Sequence, residues 1–353
     1  FLDLMDYEKY DVDLYVVLKS GIYFDRIPRQ VNLKILYNNR FIEKLSRIFY
    51  AEFHSLLIHK IFGKKIKGVY DFGLCFTDSE ATEYLIHNLA TIKRRATIIQ
   101  SSYKTWDLIA TKIQGKYIEQ MKRRYKAMDL LISVSQDAKS EFEKIFGVHQ
   151  DHRVIFNPIY TFKVIKKSEE KSAIIFDKNT VNIVAIGRLI PVKGYDLLLR
   201  AAYILHQKKL DFHIYLVGRG PLKKELTEMS LKLDLQQKVT VTGYIDNIYP
   251  LVNQADIFVM TSRSEGLPTS LCEAMILGKP VIATNVSGCK ETIDHGKYGL
   301  MADLTPDSLA LALEQMICSK ELRVKFASLS KERGNIFKHS AVMQQYYDLF
   351  DGK

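Results

Sequence analysis

Residues 256–280 constrain the fold of this chain more than any other segment. Ile257-Phe258-Val259-Met260 is an apolar run of strand length, and Val281-Ile282-Ala283-Thr284 is a second one. Between them, Ser264-Glu265-Gly266-Leu267-Pro268 breaks the first run and a helix begins, which Gly278-Lys279-Pro280 stops. Glu265 is thereby expected in the loop at the carboxyl end of a strand, and Glu273 about two turns into the helix that follows. The backbone amides from Gly266 to Ser270, except at Pro268, are expected to face a crevice with the helix dipole behind them. Free amides for an anion and flanking carboxylates for hydroxyl protons suit a phosphorylated ligand.

The alternation of strand-like runs with amphipathic helices continues along the whole chain, which predicts an α/β protein with parallel sheets covered on both faces. Strands are expected at 12–18, 33–35, 69–75, 97–100 and 131–134, then at 182–187, 212–217, 239–242, 257–260, 281–283 and 300–302. Residues 162–179, with Lys166-Lys167-Ser168-Glu169-Glu170-Lys171, are polar and aperiodic and read as a connector. At 353 residues the chain suffices for two such domains.

Charge is uneven. The net +11 falls mostly in residues 1–180, which hold 30 Lys and Arg against 22 Asp and Glu. Lys64-Lys65-Ile66-Lys67, Lys93-Arg94-Arg95 and Lys122-Arg123-Arg124-Tyr125-Lys126 suit an anionic membrane surface or an acidic acceptor. No nucleic-acid-binding motif accompanies them, so nucleic acid is not an expected partner. No apolar run reaches membrane-spanning length. Cys75, Cys272, Cys289 and Cys318 have neither metal-type nor disulfide-type spacing, in keeping with a cytoplasmic protein. Asp11-Val12-Asp13 has the outline of a metal-binding pair but falls within an expected strand and reads as structural, so no metal site is expected.

Five segments in fixed order carry a family resemblance. They are Val184-Ala185-Ile186-Gly187-Arg188-Leu189-Ile190-Pro191-Val192-Lys193-Gly194, Ile214-Tyr215-Leu216-Val217-Gly218-Arg219-Gly220-Pro221, and Val239-Thr240-Val241-Thr242-Gly243-Tyr244. The pair Glu265 and Glu273 with its surrounding residues follows, and then Ala283-Thr284-Asn285-Val286-Ser287-Gly288-Cys289-Lys290-Glu291-Thr292-Ile293. Together they resemble the donor domain of the retaining glycosyltransferases of family 4, which have the GT-B fold and an E-x7-E motif, and in particular those of bacterial surface polysaccharides. The resemblance is sharpest over residues 181–335. In the first half, Leu131-Ile132-Ser133-Val134-Ser135 resembles the last strand of the first domain, and Val154-Ile155-Phe156-Asn157-Pro158-Ile159 the segment where such chains leave it.

The resemblance implies a first, acceptor-side Rossmann-like domain over 1–157, a connector over 158–180, a nucleotide-sugar donor domain over 181–335, and a terminal helix over 336–353 docking back on the first domain. Relatives carry an earlier strand and a glycine-rich loop, so about 30 residues are expected ahead of Phe1. The implied activity is metal-independent, retaining transfer of a hexose or N-acetylhexosamine from a nucleotide diphosphate sugar, UDP-linked by preference, to a glycan or lipid-linked acceptor. No cofactor is implied, since the nucleotide sugar is a substrate. The implied location is cytoplasmic, with a peripheral position at the inner face of a membrane.

Residue by residue, Arg188 and Lys193 are expected at the diphosphate beside Gly187, and Glu265 at the transferred sugar. Glu273 is expected at the ribose hydroxyls, and Gly266, Leu267, Pro268 and Thr269 around the sugar and phosphate. Gly218, Arg219 and Tyr244 are expected at the base and ribose-phosphate. On the acceptor side, Ile98-Ile99-Gln100-Ser101-Ser102 departs from the pattern, because Gln100 stands where many relatives have a histidine. Glutamine still hydrogen-bonds a sugar hydroxyl but takes up no proton at neutral pH, and Ser101 is grouped with it. Two other readings stay open: a nucleotide-sugar epimerase of the same fold, and a catalytically silent nucleotide-sugar-binding subunit.

Overall fold

The computed structural model describes residues 1–16, 24–35, 68–76, 91–100 and 115–353. In the second half, six parallel strands run β7 (Val181–Ile186), β8 (Phe212–Val217), β9 (Val239–Gly243), β10 (Ile257–Met260), β11 (Val281–Thr284) and β12 (Leu300–Ala302). Their order across the sheet is β12-β11-β10-β7-β8-β9. The chain thus winds outward from β7 in one direction and returns beside it with β10. The crevice at that reversal, beyond the carboxyl ends of β7 and β10, is where a doubly wound sheet binds ligands.

Side chains alternate between the two faces of this sheet, as strand geometry requires. Ile183, Ala185, Ile214, Leu216, Ile257, Val259 and Ile282 face α4 (Tyr195–Gln207) and α9 (Pro306–Cys318). Val184, Ile186, Val217, Phe258, Met260, Val281 and Ala283 belong to the opposite core, with α6 (Tyr249–Gln254) and α7 (Thr269–Ile276). Burial on both faces explains why these strands read as continuous apolar runs.

The described part of the first half has a four-stranded parallel sheet in the order β3 (Tyr70–Cys75), β4 (Ile92–Ile99), β5 (Leu130–Ser133) and β6 (His152–Val154). A separate parallel pair joins β1 (Asp13–Val16) to β2 (Asn32–Ile35). On one face of the larger sheet, Ile99 and Leu131 pack with α1 (Gly115–Lys126) and α2 (Gln136–Phe146). On the other, Ala96, Ile98, Leu130 and Ile132 join the core that also contains α7, so one apolar body runs from domain to domain. The terminal helix α11 (His339–Phe350) packs on the first half. The Tyr347 ring stacks on Tyr10 at 5.4 Å, Phe350 meets Phe72 at 5.0 Å, and Arg94 donates to the Leu349 carbonyl at 3.3 Å.

Four sequence expectations need correction. The strand expected over 131–134 is not the last of its sheet, because β6 pairs alongside it from His152. Three residues are too short for a periodic signal. The segment read as an aperiodic connector contains a helix, α3 (Thr161–Ser168). Its buried stripe is Thr161, Val164 and Ser168, and two hydroxyl residues among three hide the apolar period. Helix α7 starts at Thr269, so Glu273 lies about one turn in rather than two. Finally, Asp11 lies outside β1, and Asp13 is held by Lys34 and Tyr70. Ser101 and the Lys64–Lys67 cluster fall outside the described residues.

Candidate functional site

Three strand ends build the floor of the crevice. After β7 the chain turns through Gly187 into a 3-10 turn, Pro191–Lys193, and a left-handed Gly194 (φ 64°) before α4. A Cβ on Gly194 would lie 2.1 Å from the Thr261 carbonyl oxygen, so only glycine lets the β7 and β10 loops meet. Thr261 Oγ1 donates to the Lys193 carbonyl at 2.9 Å, and the Arg263 amide donates to the Val192 carbonyl at 2.7 Å. The Arg263 guanidinium bridges both oxygens of Asp196 at 2.8 and 2.7 Å. These bonds fix the backbone that carries Lys193. After β8, Gly218 donates to the Gly243 carbonyl at 2.9 Å, and a Cβ there would fall 1.8 Å from the Gly187 oxygen.

Lys193 turns back into the crevice and donates from Nζ to Oε1 of Glu265 at 2.5 Å. The Ser262 hydroxyl donates to the same oxygen at 2.5 Å. Oε2 has no partner among the described residues. Both side chains of the ion pair are largely buried, at 17% and 12% exposure, so their charges are felt at short range with little water between. Arg188, on the rim of the same turn, is exposed, and its guanidinium bonds nothing among the described residues. The Tyr195 hydroxyl sits over Gly187, and burial, with the Glu265 charge adding to it, pushes its pKa up.

Glu273 is built in a parallel way. Its Oε1 accepts the Tyr249 hydroxyl at 2.9 Å, and Oε2 has no partner among the described residues. The residue is only partly buried overall, yet the loss of water around its carboxyl pushes the pKa up to about 7, against the opposing effect of the tyrosine bond. Between the two glutamates, the amides of Gly266, Leu267, Thr269 and Ser270 donate to no backbone carbonyl among the described residues. Leu267 and Pro268 turn their side chains into buried positions, so only their backbone borders the crevice, whereas Thr269 is exposed. On the far side, the Arg219 guanidinium lies 5.2 Å from the Tyr244 ring, itself 56% exposed.

The first half closes over this floor. A Cβ on Gly266 would lie 2.2 Å from the Gln100 carbonyl oxygen and 3.3 Å from Val134. Gln100, at the end of β4, exchanges amide hydrogen bonds with Asn157 at 2.9 and 3.5 Å. Its orientation is therefore fixed by a partner that its sequence context did not reveal. Across the same boundary, Glu291 accepts from the amides of Gln136 and Asp137 at 3.0 and 3.1 Å, Lys290 pairs with Asp137 at 3.5 Å, and Ser287 donates to Glu141.

Sequence reasoning missed Ser262, Tyr195, Tyr249, Asn157 and the Arg263–Asp196 bridge. A serine three residues before Glu265 and a tyrosine opening a helix carry no chemical signal until folding brings them to the glutamates. The basic cluster on β4 is neutralised locally: Lys93 pairs with Asp71, Arg94 with Asp151 and Arg95 with Asp129.

Residues 166–333 match the family described as Glycosyl transferases group 1. The second domain belongs to the group 1 glycosyl transferases. All five segments quoted from it in the sequence lie inside that match. The chain is 30% identical over 171 residues to the lipopolysaccharide core biosynthesis glycosyltransferase LpsD of Rhizobium meliloti, a match covering 48% of this chain and 49% of LpsD. It is 27% identical over 216 residues to the N-acetylgalactosamine-N,N'-diacetylbacillosaminyl-diphospho-undecaprenol 4-alpha-N-acetylgalactosaminyltransferase of Campylobacter jejuni, covering 60% of this chain and 57% of that protein. The chain thus spans about half the length of the curated relatives it matches. The chain also superposes on Anabaena HepE in complex with UDP and glucose with a TM-score of 0.73 at 16% identity, covering 97% of this chain and 92% of HepE. The fold is GT-B. Among the described residues no three His, Cys, Asp or Glu side chains gather as metal ligands, and no helix is long and apolar enough to cross a membrane.

Proposed function

We propose that this chain is a retaining glycosyltransferase that moves a hexose or N-acetylhexosamine from a UDP-linked sugar to a hydroxyl of a glycan or lipid-linked glycan. The observation that carries this reading is the Lys193–Glu265 pair, set on the glycine-lined turn after β7 and beside the unbonded amides at the start of α7. The names of the relatives support it: one builds the lipopolysaccharide core and another acts on a lipid-linked diphosphate acceptor.

In this reading the diphosphate lies between Arg188, Lys193 and the amides of α7, the ribose at Glu273, and the transferred sugar at the free oxygen of Glu265 and the Gly266–Gln100 boundary. Arg219 and Tyr244 border the base. The acceptor hydroxyl attacks the anomeric carbon on the face from which the diphosphate departs. The bond to the β-phosphate oxygen breaks as the new glycosidic bond forms, and the acceptor proton passes to the departing phosphate oxygen. Arg188 and Lys193 stabilise the charge that develops there, a role that needs no metal ion. Tying the acceptor to a lipid carrier places the protein at an anionic membrane surface.

The test is transfer from a panel of UDP sugars to lipid-linked and free glycans, with and without EDTA. One sugar is expected to be transferred with its anomeric configuration kept and with activity surviving chelation. Nucleotide binding without transfer to any acceptor would favour the silent binding subunit. Inversion of configuration would overturn the mechanism, and loss with EDTA reversed by Mg²⁺ would overturn the metal-independent charge stabilisation.

A further inference from the structure

The tyrosine that meets Glu273 is fixed at its root. Tyr249 opens α6, and its amide donates to Asn247 Oδ1 at 3.2 Å. Asn247 Nδ2 in turn donates to the Lys167 carbonyl in the last turn of α3 at 2.9 Å and to Glu170 Oε2, two residues beyond that helix, at 2.7 Å. Pro250, Leu251 and Val252, which follow, are buried in the core shared with α7. The ring therefore reaches Glu273 from a backbone that is anchored on two sides. Burial, with the Glu273 charge adding to it, pushes the Tyr249 pKa up, so the hydroxyl stays a proton donor across the working pH range.

We propose that Tyr249 is a positioning residue for nucleotide recognition: by holding Oε1 of Glu273 it aims Oε2 at a ribose hydroxyl and so sets the preference for ribose over deoxyribose nucleotides. The proposal rests on the reading of Glu273 as the ribose contact. An acceptor locked in one orientation rewards a hydroxyl and leaves its lone pair unsatisfied when the hydroxyl is missing, and that asymmetry is the source of discrimination. A carboxylate free to rotate finds water in either case. The hydroxyl of Tyr249 removes that freedom, while its ring keeps bulk water from Oε1. Nothing in the sequence pairs these residues, since 24 positions separate them.

The experiment is calorimetric titration of the full chain with UDP, 2′-deoxy-UDP and 3′-deoxy-UDP, on the unsubstituted protein, Tyr249→Phe and Glu273→Gln. Thermal unfolding of each variant reports folding alongside. The unsubstituted protein is expected to prefer UDP over at least one deoxy nucleotide by about tenfold or more. Tyr249→Phe keeps the ring and is expected to bring that ratio close to one, with the loss falling on UDP. A Tyr249→Phe protein that binds all three nucleotides more weakly but keeps the ratio overturns the proposal and leaves Tyr249 a packing residue. If Glu273→Gln itself leaves the ratio unchanged, the ribose reading of Glu273 is what fails. Should Tyr249→Phe fold poorly, Asn247→Ala frees the root of the ring without touching Glu273 and is expected to lower the same ratio; an unchanged ratio there likewise overturns the proposal.

Discussion

Lys193 Nζ lies 2.5 Å from Glu265 Oε1, joining the loop after β7 to the loop after β10 across the point where the strand order reverses. The two residues are 72 positions apart in the chain. In the resting protein the pair keeps a largely buried ammonium compensated, and it leaves the second oxygen of Glu265 without a partner among the described residues.

Replacing that lysine is expected to hurt turnover more than folding. Lys193→Met should lower kcat by about 100- to 1,000-fold, the usual cost of removing one preorganised charge from a developing anion. Lys193→Arg should not restore it fully, because the planar guanidinium cannot take the place of a compact ammonium at an oxygen of Glu265 that Ser262 also bonds. Steady-state kinetics with the preferred donor decide this. A kcat within threefold of the unsubstituted value would remove Lys193 from the diphosphate site.

At Gly266 the backbones of the two domains come into close contact. The Cβ of Gly266→Ala meets the Gln100 carbonyl, a backbone atom that cannot step aside, so the domains must part or the loop must shift. The expected cost is about 1–3 kcal/mol of stability together with a large loss of transfer. Unfolding midpoints and activity of Gly266→Ala, beside those of the unsubstituted protein, check this. An unchanged midpoint with full transfer would mean that the boundary is looser than the geometry shows.

Glu273 predicts a pH dependence of stability. Its pKa in the folded protein, about 7, lies above the ordinary glutamate value of 4.5. The folded state therefore holds a proton that the unfolded chain releases between these values. Its contribution is complete below about pH 4.5 and is lost as pH rises towards 7, worth at most about 3 kcal/mol. Urea unfolding of the nucleotide-free protein at pH 4.5 to 7.5 is expected to show a downward component that Glu273→Gln removes. Parallel curves for the two proteins would contradict the raised value.

The Glu291 carboxylate caps the first turn of α2 from the opposite domain. Ser135 caps the same helix from within its own domain by accepting the Ala138 amide. Glu291→Ala should thus leave α2 folded and cost about 1 kcal/mol of interdomain contact. The expected readouts are a larger radius of gyration in solution scattering and a raised KM for the donor with kcat changed less. No change in either would make the contact incidental.

Much of the second domain was legible in its residues. All six of its strands were placed to within a residue at each end, because strands buried on both faces must be apolar throughout and glycines must follow where loops approach closely. The strand ends that carry Lys193, Gly218, Glu265 and Gly266 were legible for the same reason. Less of the first half was. His152–Val154 is too short for a pattern, and α3 buries hydroxyls where a pattern needs apolar residues. The β4 cations looked like a face for anions, yet each has an acid placed beside it by strand pairing or loop packing.

The sequence by itself determined the local elements and the chemical types available at each strand end, since these depend on residues within a few positions of one another. Only the tertiary structure decided which oxygen of each glutamate is occupied. Lys193 and Ser262 take Oε1 of Glu265, and Tyr249 takes Oε1 of Glu273, from different loops and a different helix. It also decided that Gln100 is held by Asn157 and that Glu291 reaches the other domain. The physical reason is range. Propensity and periodicity act along the chain, whereas a hydrogen bond between residues 24 to 155 positions apart forms only after sheet order and domain packing have brought its donor and acceptor within about 3 Å.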